Sequence, residues 1–71
     1  MTQEQKDEFL MLYLELIDEA DLMRKRGFNQ KSAELDAQAE GMRTALEVFG
    51  YVLQDHFNQV IGGNEIVIVK G

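Results

Sequence analysis

Residues 35–60 read LDAQAEGMRTALEVFGYVLQDHFNQV, and the expected fold depends on this stretch. Apolar side chains recur through it at alternating steps of four and three residues, and only His56 interrupts the series. A repeat of this kind is typical of a helix that packs against a partner helix along one apolar seam, as in a coiled coil. The pattern therefore predicts one long helix over 30–60.

A first helix is predicted over 3–26. Thr2 and Gln5 have the spacing of a capping box, which satisfies two free backbone N–H groups at a helix start. Gly27 suits the left-handed conformation in which many helices end. A short connection at this glycine would make the two helices antiparallel neighbours. Their shared hairpin seam is predicted to contain Phe9, Tyr13, Leu16, Ala20, Met23, Leu35, Ala39, Met42, Leu46, Phe49 and Leu53.

The last ten residues are expected to form a hinge and a strand. Gly62 and Gly63 end the second helix in this interpretation, and four β-branched residues follow between Glu65 and Lys70. A single strand cannot satisfy its own backbone groups. We therefore expect it to pair with its copy in a dimer, to add to a partner's sheet, or to lie as an extended arm; a disordered tail is a further alternative. The predicted division is a helical hairpin over 1–61 and a hinge with a strand or arm over 62–71.

Chain length favours oligomerisation. A core built by fewer than about 70–80 residues is rarely stable without disulfides, a structural metal ion or oligomerisation. This chain has 71 residues and no cysteine. The fold class expected is all-α, with the helical hairpin dimerising into a four-helix bundle. Apolar residues outside the seam are the candidates for the oligomer interface, namely Leu14, Ala37, Gly41, Ala45, Val48, Val52, Phe57, Val60, Ile66, Val67, Ile68 and Val69.

Charge argues against nucleic acid and anionic membranes as partners, because the formal net charge is −6. The acidic N-terminal stretch does not resemble a signal peptide, and the longest apolar run is too short to cross a bilayer. A cytoplasmic protein is expected. Residues 24–31 are locally basic, with four cations and no acid. Candidate contacts for another protein are Glu15, Asp18, Arg24, Arg26 and His56.

Few residue patterns suggest chemistry. The spacing Glu15-x-x-Asp18 resembles the carboxylate spacing of helical nucleotide pyrophosphohydrolases, which would imply a magnesium-dependent hydrolase. Both side chains, however, fall opposite the main apolar stripe of the first helix, where solvated acids are the simpler interpretation. His56 is the one histidine, and a polar residue on a seam more often sets register or partner choice than it catalyses a reaction. We expect no metal ion, no cofactor and no enzymatic activity.

The function expected is that of a small acidic interaction module acting as an obligate homo-oligomer. The run Ala39–Leu46 resembles segments of short phage proteins, which bears on the origin of the chain only. A specific version of the module is a small inhibitor from a phage or mobile element that uses its acidic surface to occupy a basic site. The alternative is a structural or assembly component whose C-terminal strand adds to a neighbour's sheet. A metal-dependent nucleotide hydrolase is the remote alternative.

Overall fold

A computed structural model describes residues 1–71 and contains two helices followed by two strands. Helix α1 spans Gln3–Lys25, α2 spans Asn29–Val48, β1 spans Tyr51–Asn58 and β2 spans Gly63–Lys70. The strands form one antiparallel sheet, so the fold is α+β. The predicted all-α class is wrong, and the helical hairpin on which the four-helix bundle rested is not formed over its full predicted length.

Helix α1 begins and ends as its sequence indicates. The Gln5 N–H donates to Thr2 Oγ1 at 3.1 Å, and the Thr2 N–H donates to Gln5 Oε1 at 2.9 Å, which confirms the capping box. At the other end Gly27 has a φ of 83°. Its N–H donates to the Arg24 carbonyl, and the N–H of the next residue, Phe28, donates to the Met23 carbonyl. These two bonds satisfy carbonyls that the helix would otherwise leave free.

Helix α2 packs beside α1 as an antiparallel neighbour after a connection of three residues. Ser32, in its first turn, is buried, and its Oγ donates to the Ala20 carbonyl oxygen at 2.9 Å. This bond ties the start of α2 to the closing turns of α1. The hairpin of the two helices therefore has a polar anchor at its closed end.

Helix α2 ends at Val48, and its predicted continuation to residue 60 is wrong. Gly50 has a φ of 84°, a backbone conformation that other residues adopt only with strain. Its N–H donates to the Glu47 carbonyl at 2.9 Å, which closes the last turn. Of the apolar residues that continue the helical repeat beyond this glycine, Leu53 belongs to β1 and Val60 lies in the turn that follows it.

The strand β2 pairs with β1 in the same chain, a pairing absent from the alternatives that the sequence suggested. The register runs from Tyr51 opposite Lys70 to Asn58 opposite Gly63. Residues 59–62 form the tip, where Asn58 Oδ1 accepts the Val60 N–H at 2.9 Å and the Asn58 carbonyl accepts the Gly62 N–H at 3.0 Å. A four-residue connection of this kind is common between antiparallel strands.

The molecule has two layers, one of helices and one of sheet. It measures 36 × 32 × 18 Å, and its shortest dimension accommodates one layer of each kind. Strand β1 packs on α2, and β2 packs on α1. Because side chains alternate across a sheet, Leu53, Ile66 and Ile68 share the face toward the helices. The buried apolar residues are Tyr13, Ala20, Leu35, Ala39, Leu46 and Ile68.

Neither helix combines the length and the apolarity that crossing a bilayer requires.

Candidate protein-interaction surface

Much of the apolar surface of this chain remains outside its core. Only seven of 71 residues are buried, and the accessible surface is 5311 Å². A folded monomer of this mass is expected to expose about 4,500 Å². The excess is therefore about 800 Å². The exposed large hydrophobic side chains are Met1, Met11, Leu12, Leu14, Ile17, Leu22, Phe28, Val48, Phe49, Val52, Phe57, Val60 and Ile61.

The largest concave part of this surface is a groove at the open end of the helical hairpin, which we call the terminal groove. It has a volume of about 720 Å³. One wall is the N-terminal half of α1, where Phe9 and Leu12 lie three residues apart on one helical face. The other wall is formed by Phe49 and Tyr51, at the junction between α2 and β1. The lining is mainly apolar, as in sites that receive hydrophobic groups.

The α1 wall of the terminal groove is anchored to the core. The Phe9 and Tyr13 rings stack with centroids 6.5 Å apart and an interplanar angle of 9°. Since Tyr13 is buried, this stacking holds Phe9 in a fixed position. A groove whose wall is fixed in the free chain requires little ordering when another molecule binds.

Two apolar side chains project beside the terminal groove. Val48 and Phe49 are 79% and 77% exposed, respectively. Both lie where Gly50 turns the chain out of α2, and the Phe49 N–H donates to the Leu46 carbonyl at 3.1 Å in the closing turn. The backbone that carries this projection is therefore ordered. We call these two residues the junction knob.

The rim of the terminal groove is less acidic than the rest of the molecule. Glu8, Lys70 and Gln5 all line it. Lys6 Nζ lies 5.5 Å from the centroid of the Tyr51 ring, within the range of cation–π attraction. Both signs of charge thus occur at this rim, although the whole chain carries a net charge of −6.

A second, smaller cleft lies between the two layers. Its volume is about 210 Å³, and it is lined by Tyr13, Arg43 and Leu53, with Gln54, Asp55 and Ile66 completing the lining. Arg43 makes its one ion pair with Glu40, at 3.7 Å, rather than with Asp55. No ion pair joins Arg43 to Asp55 in this cleft.

The residues considered for chemistry lie apart from one another. Glu15 and Asp18 are exposed on α1 and make no ion pair. No three His, Cys, Asp or Glu side chains lie close enough together to hold a metal ion. His56 is exposed on β1 opposite Glu65, on the face of the sheet away from the helices. It is therefore a strand residue and not the polar member of a helical seam.

The basic end predicted around the first connection is partly neutralised within the chain. Arg24 pairs with Asp21 and Asp36 at 3.4 and 3.2 Å, and Lys25 pairs with Asp21 at 2.9 Å. The hydrogen bond from Lys25 and the charge of its ammonium, with a smaller contribution from Arg24, hold the pKa of the Asp21 carboxyl below its ordinary value. Arg26 makes no ion pair and remains available to a partner.

The residues predicted for the hairpin seam cluster along the inner sides of the two helices, except near Gly50. Leu53 lies on β1, where it is partly buried, and Phe49 is exposed in the junction knob. Five of the others are buried and four are partly buried: Tyr13, Ala20, Leu35, Ala39 and Leu46 are buried, and Phe9, Leu16, Met23 and Met42 are partly buried.

The residues predicted for the oligomer interface divide between surface and sheet. Ile68 is buried and Ile66, Val67 and Val69 are partly buried within the hairpin of β1 and β2. The other eight are exposed, namely Leu14, Ala37, Gly41, Ala45, Val48, Val52, Phe57 and Val60. The sequence does not predict the terminal groove, because Phe49 and Tyr51 approach α1 only when the chain turns at Gly50. A helix end at this glycine is the one local signal of that turn.

No protein-family model matches the chain, and no curated protein and no solved structure matches it.

Proposed function

We propose that this protein is a non-enzymatic interaction module that acts as a homo-oligomer. The observation that carries the proposal is the large exposed surface of the single chain, which includes 13 exposed large hydrophobic side chains. The excess of about 800 Å² equals the area that one partner contributes to a standard stable interface. The protein surface therefore suffices for one specific contact of ordinary size.

Self-association is favoured by the size of the core. Seven buried residues stabilise a chain of 71 residues, and a core of this size rarely supplies more than about 3–5 kcal/mol. Burying the exposed hydrophobic side chains against another copy adds to that stability, since apolar area removed from water contributes about 25 cal/mol per Å². Because every copy of the chain can serve as the partner, this burial does not depend on the presence of a different protein. A cytoplasmic location is part of the proposal, in keeping with a cysteine-free acidic chain.

Sedimentation equilibrium of the full chain tests the proposal. At concentrations of about 1–100 µM, where interfaces of standard size associate, we expect twice the monomer mass of 8.1 kDa. A stable monomer throughout this range would contradict the homo-oligomer. Magnesium-dependent thermal stabilisation that Glu15→Gln abolishes would contradict the non-enzymatic part and favour a metal-dependent hydrolase.

The narrower version is an inhibitor that occupies a basic site on another protein, such as a host protein of a phage or mobile element. It is supported by the exposed acids Glu15, Asp18 and Glu19 of α1, none of which makes an ion pair within the chain. Their charges are thus available to an external cation. In a pull-down from native cells, Glu15→Gln with Asp18→Asn should release a partner that binds this acidic face, with Glu40→Gln as control.

A second candidate function is assembly by addition of a strand to the sheet. The sheet has only two strands, so each has an edge without a strand partner. The Gly71 N–H donates to the Gly50 carbonyl, so the backbone groups of residue 71 face β1. These groups alternate in direction along an antiparallel pair, so every second residue of β2 faces the other way. Ile66 and Ile68 therefore direct their N–H and C=O groups to the free edge of β2. N-methylation of Ile66 in a synthetic chain should abolish assembly by this edge; unchanged assembly would rule it out.

A further inference from the structure

We propose that the terminal groove receives a second copy of this chain, with the junction knob of each copy inserted into the groove of the other. This inference rests on the proposed homo-oligomer and specifies its interface. The contact is a closed twofold dimer whose centre is formed by Phe49, Leu12 and Phe9. The C-terminal end of α2 and its capping residue Phe49 supply the knob, and α1 supplies most of the groove.

The relative position of knob and groove supports a second copy as the occupant. A twofold interface uses the same patch on both copies, so the patch must present both a projection and a complementary recess. Phe49 projects beside the recess that it helps to line, and Leu12 forms the opposite wall. The chain as a whole has enough exposed surface for such a contact, because its excess area is close to one partner's share of a standard interface.

Charge further favours this face for contact between copies. Two chains with a net charge of −6 repel each other, and most of their surfaces would bring like charges together. At the terminal groove Lys6 and Lys70 offset Glu8. In a twofold dimer these cations can face the Glu8 carboxylate of the other copy, which lowers the electrostatic cost of association.

The tip of the β hairpin is the other strongly exposed apolar site, and it fits the groove less well. Val60 is 94% exposed, but it lies at the end of the sheet away from Tyr51 and Lys70, which adjoin the groove. Inserting the tip of one copy into the groove of the next would leave a free tip and a free groove at the ends. Such head-to-tail contacts build rings or filaments in place of a closed dimer.

Analytical ultracentrifugation of the wild type, Phe49→Asp and Phe57→Asp separates these possibilities. Phe57 is a matched control, since it is an exposed phenylalanine, 59% accessible, near the distant tip. A central apolar anchor that is lost twice in a symmetric dimer should weaken association by at least about 100-fold. We expect this loss for Phe49→Asp and less than about a threefold change for Phe57→Asp.

A mixing experiment tests the direct contact and controls for misfolding. Leu12→Lys alone should also dissociate the dimer, whereas an equimolar mixture of Leu12→Lys and Phe49→Asp chains should form a heterodimer, because the new lysine and aspartate face each other across the interface. A wild-type dimer that Phe49→Asp leaves intact, or a mixture that remains monomeric, would overturn the groove while the homo-oligomer stands. A monomeric wild type would overturn both, and filaments would indicate insertion of the tip.

Discussion

The two helices both end near a glycine with positive φ, yet the chain continues from them in different ways. Gly27 and Gly50 have nearly the same φ, 83° and 84°. At the end of α1 the N–H groups of Gly27 and Phe28 each donate to a carbonyl of the last helical turns, and a second helix follows. At Gly50 the N–H bonds to the Glu47 carbonyl, and Tyr51 then begins a strand.

The difference shows that a glycine stops a helix without deciding the type of the next element. At the first end, Ser32 bonds back to the helix just completed, so the next element stays helical and close by. At the second end, Tyr51–Asn58 pairs along its whole length with Gly63–Lys70. The partner strand therefore determines the structure beyond Gly50, and four changes test this contrast.

The largest effect is expected from Ile68→Ala, which weakens the partner strand. Ile68 is 7% exposed and is the one buried residue of the sheet. Removing its side chain from the core should lower the free energy of unfolding by about 3 kcal/mol. Val69→Ala, on the partly exposed opposite face, should lower it by about 1 kcal/mol. Urea unfolding at one fixed protein concentration measures both, and equal losses would show that the sheet does not depend on its inner face.

Alanine at the two glycines tests the comparison directly. An added methyl group meets no atom within 4 Å at either position, so the penalty comes from the backbone alone. It should be about 1–2 kcal/mol at each. Gly50→Ala should lower the free energy of unfolding by about 1 kcal/mol more than Gly27→Ala does. The reason is that alanine also favours continuing α2 into residues that carry a helical repeat. Far-UV circular dichroism should show added helix only for Gly50→Ala; the same loss and an unchanged spectrum in both would contradict this expectation.

The anchor after the first helix end is tested by Ser32→Ala. Loss of the buried bond from Ser32 Oγ to the Ala20 carbonyl should lower the free energy of unfolding by about 1 kcal/mol. Thr44→Ala is the matched control, since Thr44 Oγ1 donates to the Glu40 carbonyl within one exposed helix. It should be neutral or slightly stabilising, because alanine is the better helix former. If urea unfolding showed that Ser32→Ala lowers the free energy of unfolding no more than Thr44→Ala does, the anchor would contribute little.

The smallest effect concerns charge, which distinguishes the two ends because only α1 has basic residues in its last turn. Lys25 lowers the pKa of Asp21 below the ordinary value of 3.8, so the folded state binds this proton more weakly than the unfolded chain. The resulting stabilisation is present above pH 3.8 and is lost as pH falls through the lower folded pKa. Lys25→Gln should flatten this part of the stability profile in acid titrations, and an unchanged profile would contradict the assignment.

The first half of the fold could be predicted because its signals are local. Thr2 and Gln5 lie three residues apart, and Gly27 comes after three cations, so the start and end of α1 need no distant partner. The β character of 66–69 is local as well, since β-branched residues favour a strand wherever they pair. These residues could not show which segment pairs with them.

The identity of β1 could not be predicted because its sequence fits two periods. Phe49 and Leu53 continue the helical steps of α2, while Tyr51 and Leu53 also alternate with the period of a strand. Pairing with β2 decides between them, and pairing is a property of the folded chain. The terminal groove could not be predicted either, since its two walls lie about 40 residues apart, and Phe49, predicted for the seam, is exposed beside it.

The short connections give the chain a kinetic consequence. Both hairpins join neighbours in sequence, through residues 26–28 in one and 59–62 in the other, so each closes a small loop. Helices of this length relax in about 0.1–1 µs and β-hairpins form in about 1–10 µs. The slow step within one chain is then the docking of the two hairpins, and stopped-flow refolding should show no proline-limited tail, since the sequence contains no proline.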